Sequence, residues 1–277
     1  MDIDKLYNIF TTCGGKVATD SRKIRGGELF FALKGENFDG NEYALKALEA
    51  GAAYAVVDSN SPVSAAAADD PRLISVPDAV LTLRALARYH RDRFAIPVLG
   101  LTGTNGKTTT KELINAVLSA RFRTHATCGN LNNNIGVPLT ILGMPADTEI
   151  AVIEMGASHP GDIKELVDIA APDFGLITNV GKGHLLGFGS FEGVKATKGE
   201  MYDFIAGNGG GAGTVFINQE NPLLVEMATS RGFVTMPEDC AFDRAAFLGR
   251  APTLFESRAD DFCELIISVI AHNDIRQ

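Results

Sequence analysis

Val98-Leu99-Gly100-Leu101-Thr102-Gly103-Thr104-Asn105-Gly106-Lys107-Thr108-Thr109-Thr110 is the stretch that decides how this chain is read. Val98 to Leu101 is a short apolar run closed by Thr-Gly, which suits a buried parallel strand. From Lys107 to about Ala120 the pattern is helical. A glycine loop carrying Lys-Thr between strand and helix is the setting a phosphate loop requires. Gly103 and Gly106 let backbone N–H groups turn inward around phosphate oxygens. The next helix turns its partial positive end toward the same anion. Lys107 has the reach for β- and γ-phosphates, and the Thr108 hydroxyl suits Mg²⁺. Position 101 departs from the usual eight-residue pattern, with Leu101 where the first glycine belongs.

Outward from this loop, apolar runs at Ile150 to Met155, Phe174 to Asn179 and Thr214 to Asn218 predict strands. Helical stretches at Gly161 to Ala170 and Phe191 to Ile205 separate them. That alternation predicts an α/β domain with a parallel sheet over residues 96–277. The glycine-rich run 207–213 reads as a flexible turn before a strand. Upstream, residues 1–95 read as a smaller α/β domain. Its strands are Glu28 to Leu33, Tyr54 to Asp58 and Arg72 to Val76, and Ser61 to Asp70 reads as a surface loop or weak helix. Asn41 is expected to cap a helix over Glu42 to Ala50 that ends at Gly51. Asp78 is expected to cap another that spaces Val80, Leu83, Leu86 and Ala87 along one face and exposes Arg84, Arg88 and Arg91.

Composition narrows the function classes. The chain has 277 residues, 45% hydrophobic and 21% charged, so it builds a core and is not disordered. The net charge of -9 argues against general affinity for nucleic acid or anionic membrane, while leaving room for a local phosphate pocket. No apolar run approaches the ~20 residues that span a bilayer, and MDIDKLYNIF does not resemble a signal peptide. Cys13, Cys128, Cys240 and Cys263 are scattered with no C-x-x-C pair; they read as four small buried hydrophobes, reduced in a cytoplasmic protein.

Two further residues are placed by the strands. Glu154 closes Ile150 to Glu154, at the sheet edge where open α/β folds bind ligands, or simply faces solvent there. His184 follows the next strand and reaches the same edge; beside Glu154 and a phosphate loop it reads as a metal or catalytic residue. His90, His125, His159 and His272 have no such setting. Lys198 reads by itself as a solvated helix lysine.

Seven blocks carry a resemblance. They are Thr19-Asp20-Ser21-Arg22, the run from Gly27 to Gly40, the TGTNGKTTT loop, Gly129-Asn130-Leu131-Asn132-Asn133-Asn134-Ile135-Gly136-Val137-Pro138-Leu139-Thr140, Ile153 to Ala157, Thr178 to His184, and Lys198-Gly199-Glu200. In this order the chain resembles the ATP-dependent Mur ligases of peptidoglycan synthesis over about Thr19 to Asn221. The Asn-rich block resembles the branch that joins D-Ala-D-Ala to UDP-N-acetylmuramoyl-tripeptide; the alternative branch, which adds the third peptide residue, would show Thr-Thr-Pro there.

The resemblance implies a UDP-substrate domain followed by an ATP-binding domain. It implies that Gly103, Thr104, Asn105, Gly106, Lys107, Thr108 and Thr109 hold ATP, and that Thr108 and Glu154 bind one Mg²⁺. His184 would help bind a second Mg²⁺. Lys198 would be carbamylated, which turns a cation into an oxygen ligand. Lys107, His184 and Lys198 would form the catalytic set. Ser21, Arg22, Asn37, Asp39 and Gly40 resemble the uridine-nucleotide pocket, and Asn130, Asn133 and Asn134 would line the cleft between substrate and ATP.

The family's third, closing domain has no counterpart in residues 222–277. There Asp260 to Ile270 reads as an amphipathic or buried helix without a family role. Three expectations stay open: a ligase fragment that binds both ligands without full turnover, a protein completed by a partner supplying the third domain, or a non-catalytic binding or regulatory protein.

Overall fold

The computed structural model describes residues 2–35, 38–207 and 213–234. They form two compact units, Met1–Arg93 with Ile141–Gly143, and Phe94–Thr140 with the chain from Met144 onward. The elements of the first are α1 (Ile3–Thr12), β1 (Val17–Ala18), β2 (Leu29–Phe31), α2 (Ala44–Glu49), β3 (Tyr54–Asp58), α3 (Pro62–Ala66), β4 (Leu73–Val76) and α4 (Ala79–Arg91). The strands make a parallel sheet in chain order, β1-β2-β3-β4. Phe30, Ala55 and Val57 pack on Ala44, Ala47 and Leu48 of α2 to form a core of their own.

Asp78 caps α4 as expected, its side chain accepting from the Leu81 N–H at 2.8 Å. Two local expectations fail. Asn41 does not cap a helix: Gly40–Tyr43 is a 3-10 turn capped by Asp39, and α2 begins at Ala44. Asn41 is instead buried, donating to Asp39 (2.7 Å) and Asp58 (3.0 Å), where a short amide satisfies two carboxylates at once. Arg91 is buried, and Arg84 and Arg88 are half-buried, so the basic face is not fully exposed; α1 packs on α4 through Tyr7 and Phe10 against His90.

The second unit comprises β5 (Val98–Thr102), α5 (Lys107–Ser119), β6 (Thr124–Ala126), α6 (Gly136–Leu142, its last two residues counted with the first unit), β7 (Ile150–Glu154), α7 (Asp162–Ala170), β8 (Phe174–Ile177), α8 (Leu185–Phe188), α9 (Phe191–Gly207), β9 (Thr214–Phe216) and α10 (Pro222–Thr229). Its parallel sheet runs β6-β7-β5-β8-β9, so the chain starts in the middle and winds outward in both directions. Every residue of β5, β7 and β8 is buried, which is why they read as unbroken apolar runs. Leu99, Leu101, Val152 and Leu176 pack on Ile114 and Leu118 of α5; Gly100, on the other face, lies against Met201 of α9. Each such fully buried Leu or Ile contributes roughly 1.5–3 kcal/mol.

Strand register aligns the loops at one end of this sheet. Leu101 pairs with Glu154, and Thr102 with Ile177. The carboxyl ends of the three central strands are therefore level, and residues 103–110, 154–159 and 178–184 leave one edge of the sheet together. Cys13 is buried as expected and Cys128 is exposed, on the loop after β6. Cys240, Cys263, His272 and the expected 260–270 helix lie outside the described residues, as does most of the 207–213 turn. Among the described residues no helix is long and apolar enough to cross a membrane.

Candidate active site

The phosphate loop is built as its sequence demands. Gly103 has φ 152°, and a Cβ there would lie 1.9 Å from Thr178 Oγ1, so no side chain fits. Gly106 caps α5 in the left-handed region at φ 76°. The loop is held from the β8 side: Asn179 accepts from the N–H groups of Thr104 (carbonyl, 3.0 Å) and Asn105 (Oδ1, 3.0 Å). Thr178 Oγ1 donates to the Asn105 carbonyl at 2.7 Å. Lys107, Thr108 and Thr109 open α5, where N–H groups lack intrahelical partners and the helix dipole is positive.

Lys107 is folded back, donating to the carbonyls of Gly103 (2.9 Å) and Thr104 (3.2 Å). Lys198 reaches the same Gly103 carbonyl at 2.9 Å from α9. It is no solvated lysine: only 2% of it is exposed. Burial, and then the Lys107 ammonium, push its pKa down to about 8. Lys107 is also held below the usual lysine range by burial, offset in part by Glu154.

Glu154 does not face solvent; it is completely buried at the end of β7. Its Oε1 accepts from Thr108 Oγ1 (3.2 Å) and Asn132 Nδ2 (2.8 Å). Its backbone N–H donates to Thr127 Oγ1 at 2.9 Å. Oε2 is buried with no hydrogen-bond partner. An unpaired buried carboxylate oxygen is costly, and a hard cation relieves it. Among the described residues no three His, Cys, Asp or Glu gather as a metal cage. Mg²⁺ takes one or two carboxylates and completes its shell with water and phosphate oxygens.

A cleft of about 350 Å³ opens beside this corner, lined by Lys107, Asn132, Asn133, Asn134, His159 and His184, with Asp162 and Glu165 farther along. His184 is exposed and sits at φ 53°, a strained conformation for a non-glycine residue and one that recurs at functional sites. Asn133 and Asn134 line the cleft, but the Asn133 side chain caps the entry to α6, accepting from Gly136 N–H at 2.8 Å. Asn130 is exposed and outside the lining, and Lys198 is outside it too.

Sequence reading passed over Asn132, Thr127, Asn179 and His159. The first and third lie inside quoted blocks, but only the fold shows that Asn132 holds the carboxylate and Asn179 the loop. In the first unit, Ser21 and Arg22 lie in a 3-10 turn (Ser21–Lys23), where Arg22 forks onto Asp20 (2.9 and 2.8 Å). Gly40 donates to the Leu33 carbonyl at 3.0 Å, and a Cβ there would lie 2.3 Å from that oxygen. Asp39 accepts from the Asn41 N–H at 2.9 Å. Asn37 is outside the described residues.

Comparison with known proteins agrees with this architecture. The chain is 44% identical over 193 residues to the UDP-N-acetylmuramoyl-tripeptide–D-alanyl-D-alanine ligase of Bacillus subtilis, covering 70% of this chain and 42% of that protein. It is 42% identical to the Escherichia coli protein of the same name, over 70% of this chain and 41% of that one. The crystal structure of MurF ligase from Thermotoga maritima in complex with ADP superposes with a TM-score of 0.69 at 34% identity, covering 78% of this chain and 48% of that one. The chain thus spans less than half the length of the curated relatives it matches. The model of the Mur ligase family catalytic domain matches residues 16–91, and that of the Mur ligase middle domain matches residues 101–243, more than half of the sequence. The chain belongs to the Mur ligase family.

Proposed function

We propose that this chain supplies the UDP-muramoyl-peptide-binding and ATP-binding parts of an ATP-dependent ligase that joins D-Ala-D-Ala to UDP-N-acetylmuramoyl-tripeptide. One observation carries the reading: a fully buried Glu154 with an unpartnered oxygen, beside Thr108 and next to Lys107, where a phosphate loop enters its helix. The names of the relatives at 42–44% identity support the substrate pair.

In this reading the tripeptide carboxylate attacks the γ-phosphorus of ATP and ADP leaves. The amine of D-Ala-D-Ala then attacks the acyl phosphate and phosphate leaves. Such phosphoryl transfer is mainly a task of positioning and charge stabilisation. Thr108 and Glu154 would hold one Mg²⁺, His184 would help hold a second, and the ions would neutralise charge on the transferring phosphoryl group. Lys107 would leave the Gly103 and Thr104 carbonyls for the β- and γ-phosphate oxygens, and the amides at the start of α5 would bind the phosphates. Burial of Lys198 and its lowered pKa favour the neutral amine, the form that takes up CO₂ to give a carbamate. Ser21, Arg22, Asn37, Asp39 and Gly40 would bind the uridine nucleotide. Asn133 and Asn134, with Asn130 nearby, would border the peptide.

The test is calorimetry on the 277-residue chain with ATP, with and without Mg²⁺, and with UDP-N-acetylmuramoyl-tripeptide. Both ligands are expected to bind, and Glu154→Gln is expected to abolish the gain in ATP affinity that Mg²⁺ brings. Binding of neither ligand would overturn the proposal. Binding of ATP with preference for the UDP-muramoyl dipeptide would point instead to the branch that adds the third residue.

A further inference from the structure

Lys111 is a lysine on a helix whose ammonium does not reach water: its exposure is 0%. It lies one turn beyond Thr108 on α5, so the two side chains share a face. Its Nζ donates to the Thr127 carbonyl at 2.6 Å and pairs with Glu112 Oε1 at 2.6 Å. Thr127 follows β6 and is itself buried. The Thr127 N–H donates to the Val152 carbonyl (3.1 Å), and its hydroxyl accepts the Glu154 N–H (2.9 Å). Lys111 therefore grips the residue that grips Glu154.

Stability alone does not account for a lysine here. Taking an ammonium out of water costs several kcal/mol, and a methionine of similar reach would fill the same space without that cost. What methionine lacks is a donor aimed at Thr127. With it, α5 holds Glu154 at two points: Thr108 meets the carboxylate directly, and Lys111 fixes its backbone through Thr127.

We propose that Lys111 is a positioning residue that holds the Glu154 carboxylate against Thr108 in the geometry a divalent cation needs. This rests on the reading of Glu154 as an Mg²⁺ ligand. Outer partners that orient metal ligands typically change metal affinity 10–100-fold when removed.

The experiment measures ATP affinity of the full chain in Mg²⁺ and in EDTA, for the wild type, Lys111→Met, Thr127→Val and Glu154→Gln. The ratio of the two affinities isolates the metal-dependent part. Lys111→Met and Thr127→Val are each expected to cut that ratio about tenfold, with affinity in EDTA unchanged and thermal unfolding still cooperative. Combining them is expected to add little, because they break one path. A wild-type ratio in Lys111→Met, or an equal loss in Mg²⁺ and EDTA, would overturn the proposal while leaving Glu154 as a ligand. A wild type indifferent to Mg²⁺, or a Glu154→Gln variant that keeps the full ratio, would overturn both. If Lys111→Met does not fold, Lys111→Leu carries the same comparison with the same outcomes.

Discussion

Lys198 and Lys107 point two ammonium groups at one carbonyl, that of Gly103. Burial and this like-charge neighbour lower the Lys198 pKa from 10.5 to about 8. Below pH 8 the folded chain carries a buried cation, and the penalty is fully present. Between pH 8 and 10.5 the unfolded chain binds more protons than the folded one, so stability rises with pH; above 10.5 the penalty is gone. In CO₂-free buffer, Lys198→Met is therefore expected to be more stable than wild type at pH 7, by up to roughly 3 kcal/mol. The gap should shrink as pH rises through 8, as read by urea unfolding at a series of pH values. The carbamate proposed for Lys198 would replace this cation with an anion beside the Lys107 ammonium, so added CO₂ is expected to narrow the gap near pH 7.5. A gap independent of both pH and CO₂ would show that the Lys198 charge is not the cause.

Among the elements, α7 shows how one helix shapes the cleft of another. Its N-cap, Gly161, has no side chain to offer, and Glu200 on α9 takes that place, accepting from the N–H groups of Gly161 (2.9 Å) and Lys164 (2.8 Å). Burial raises the Glu200 pKa, and the two N–H groups pull it back only in part. The folded form thus holds this proton more tightly than the unfolded one; the penalty is fully present above the raised value and is relieved as pH falls through it toward 4.5. Glu200→Gln, which keeps an acceptor and removes the charge, should change stability little at pH 7. Glu200→Ala strands two N–H groups and should cost about 1–3 kcal/mol in urea unfolding. Equal stability of the two variants would show that the cap does not matter. The Lys198-Gly199-Glu200 block marked this residue, yet a contact 39 positions away in sequence is not written in any local pattern. The phosphate loop was legible because strand, glycines, Lys-Thr and helix stand consecutively, and Glu154 because it ends an apolar run. Asn132, Thr127 and Lys111 were not, since each acts through a partner that only the sheet register brings near. Asn41 misled because a short polar residue before a helical stretch looks like a cap, and β1, at two residues, is too short to show a period.

For the whole molecule, the net charge of -9 has to be reconciled with the two anionic ligands of the proposed function. Long-range attraction does not help, so in the proposed function affinity would come from short-range groups: Lys107 and the N-terminus of α5 in one unit, and the turn at Ser21–Lys23 with the 38–43 segment in the other. Each unit has its own apolar core, so each can hold its own half of the proposed site in place. Hydrogen exchange should then divide by ligand. At a hundredfold excess over Kd a ligand stabilises its bound form by about 2.7 kcal/mol, which slows local opening about a hundredfold. Mg-ATP is expected to protect amides of residues 103–110 and of β5 to this degree, and to leave β2 unchanged. UDP-N-acetylmuramoyl-tripeptide is expected to protect residues around the turn at Ser21–Lys23 and the 38–43 segment. Protection of the first unit by ATP with none at residues 103–110 would contradict the assignment of ligands to units, and with it the role given to the loop from which the fold was read.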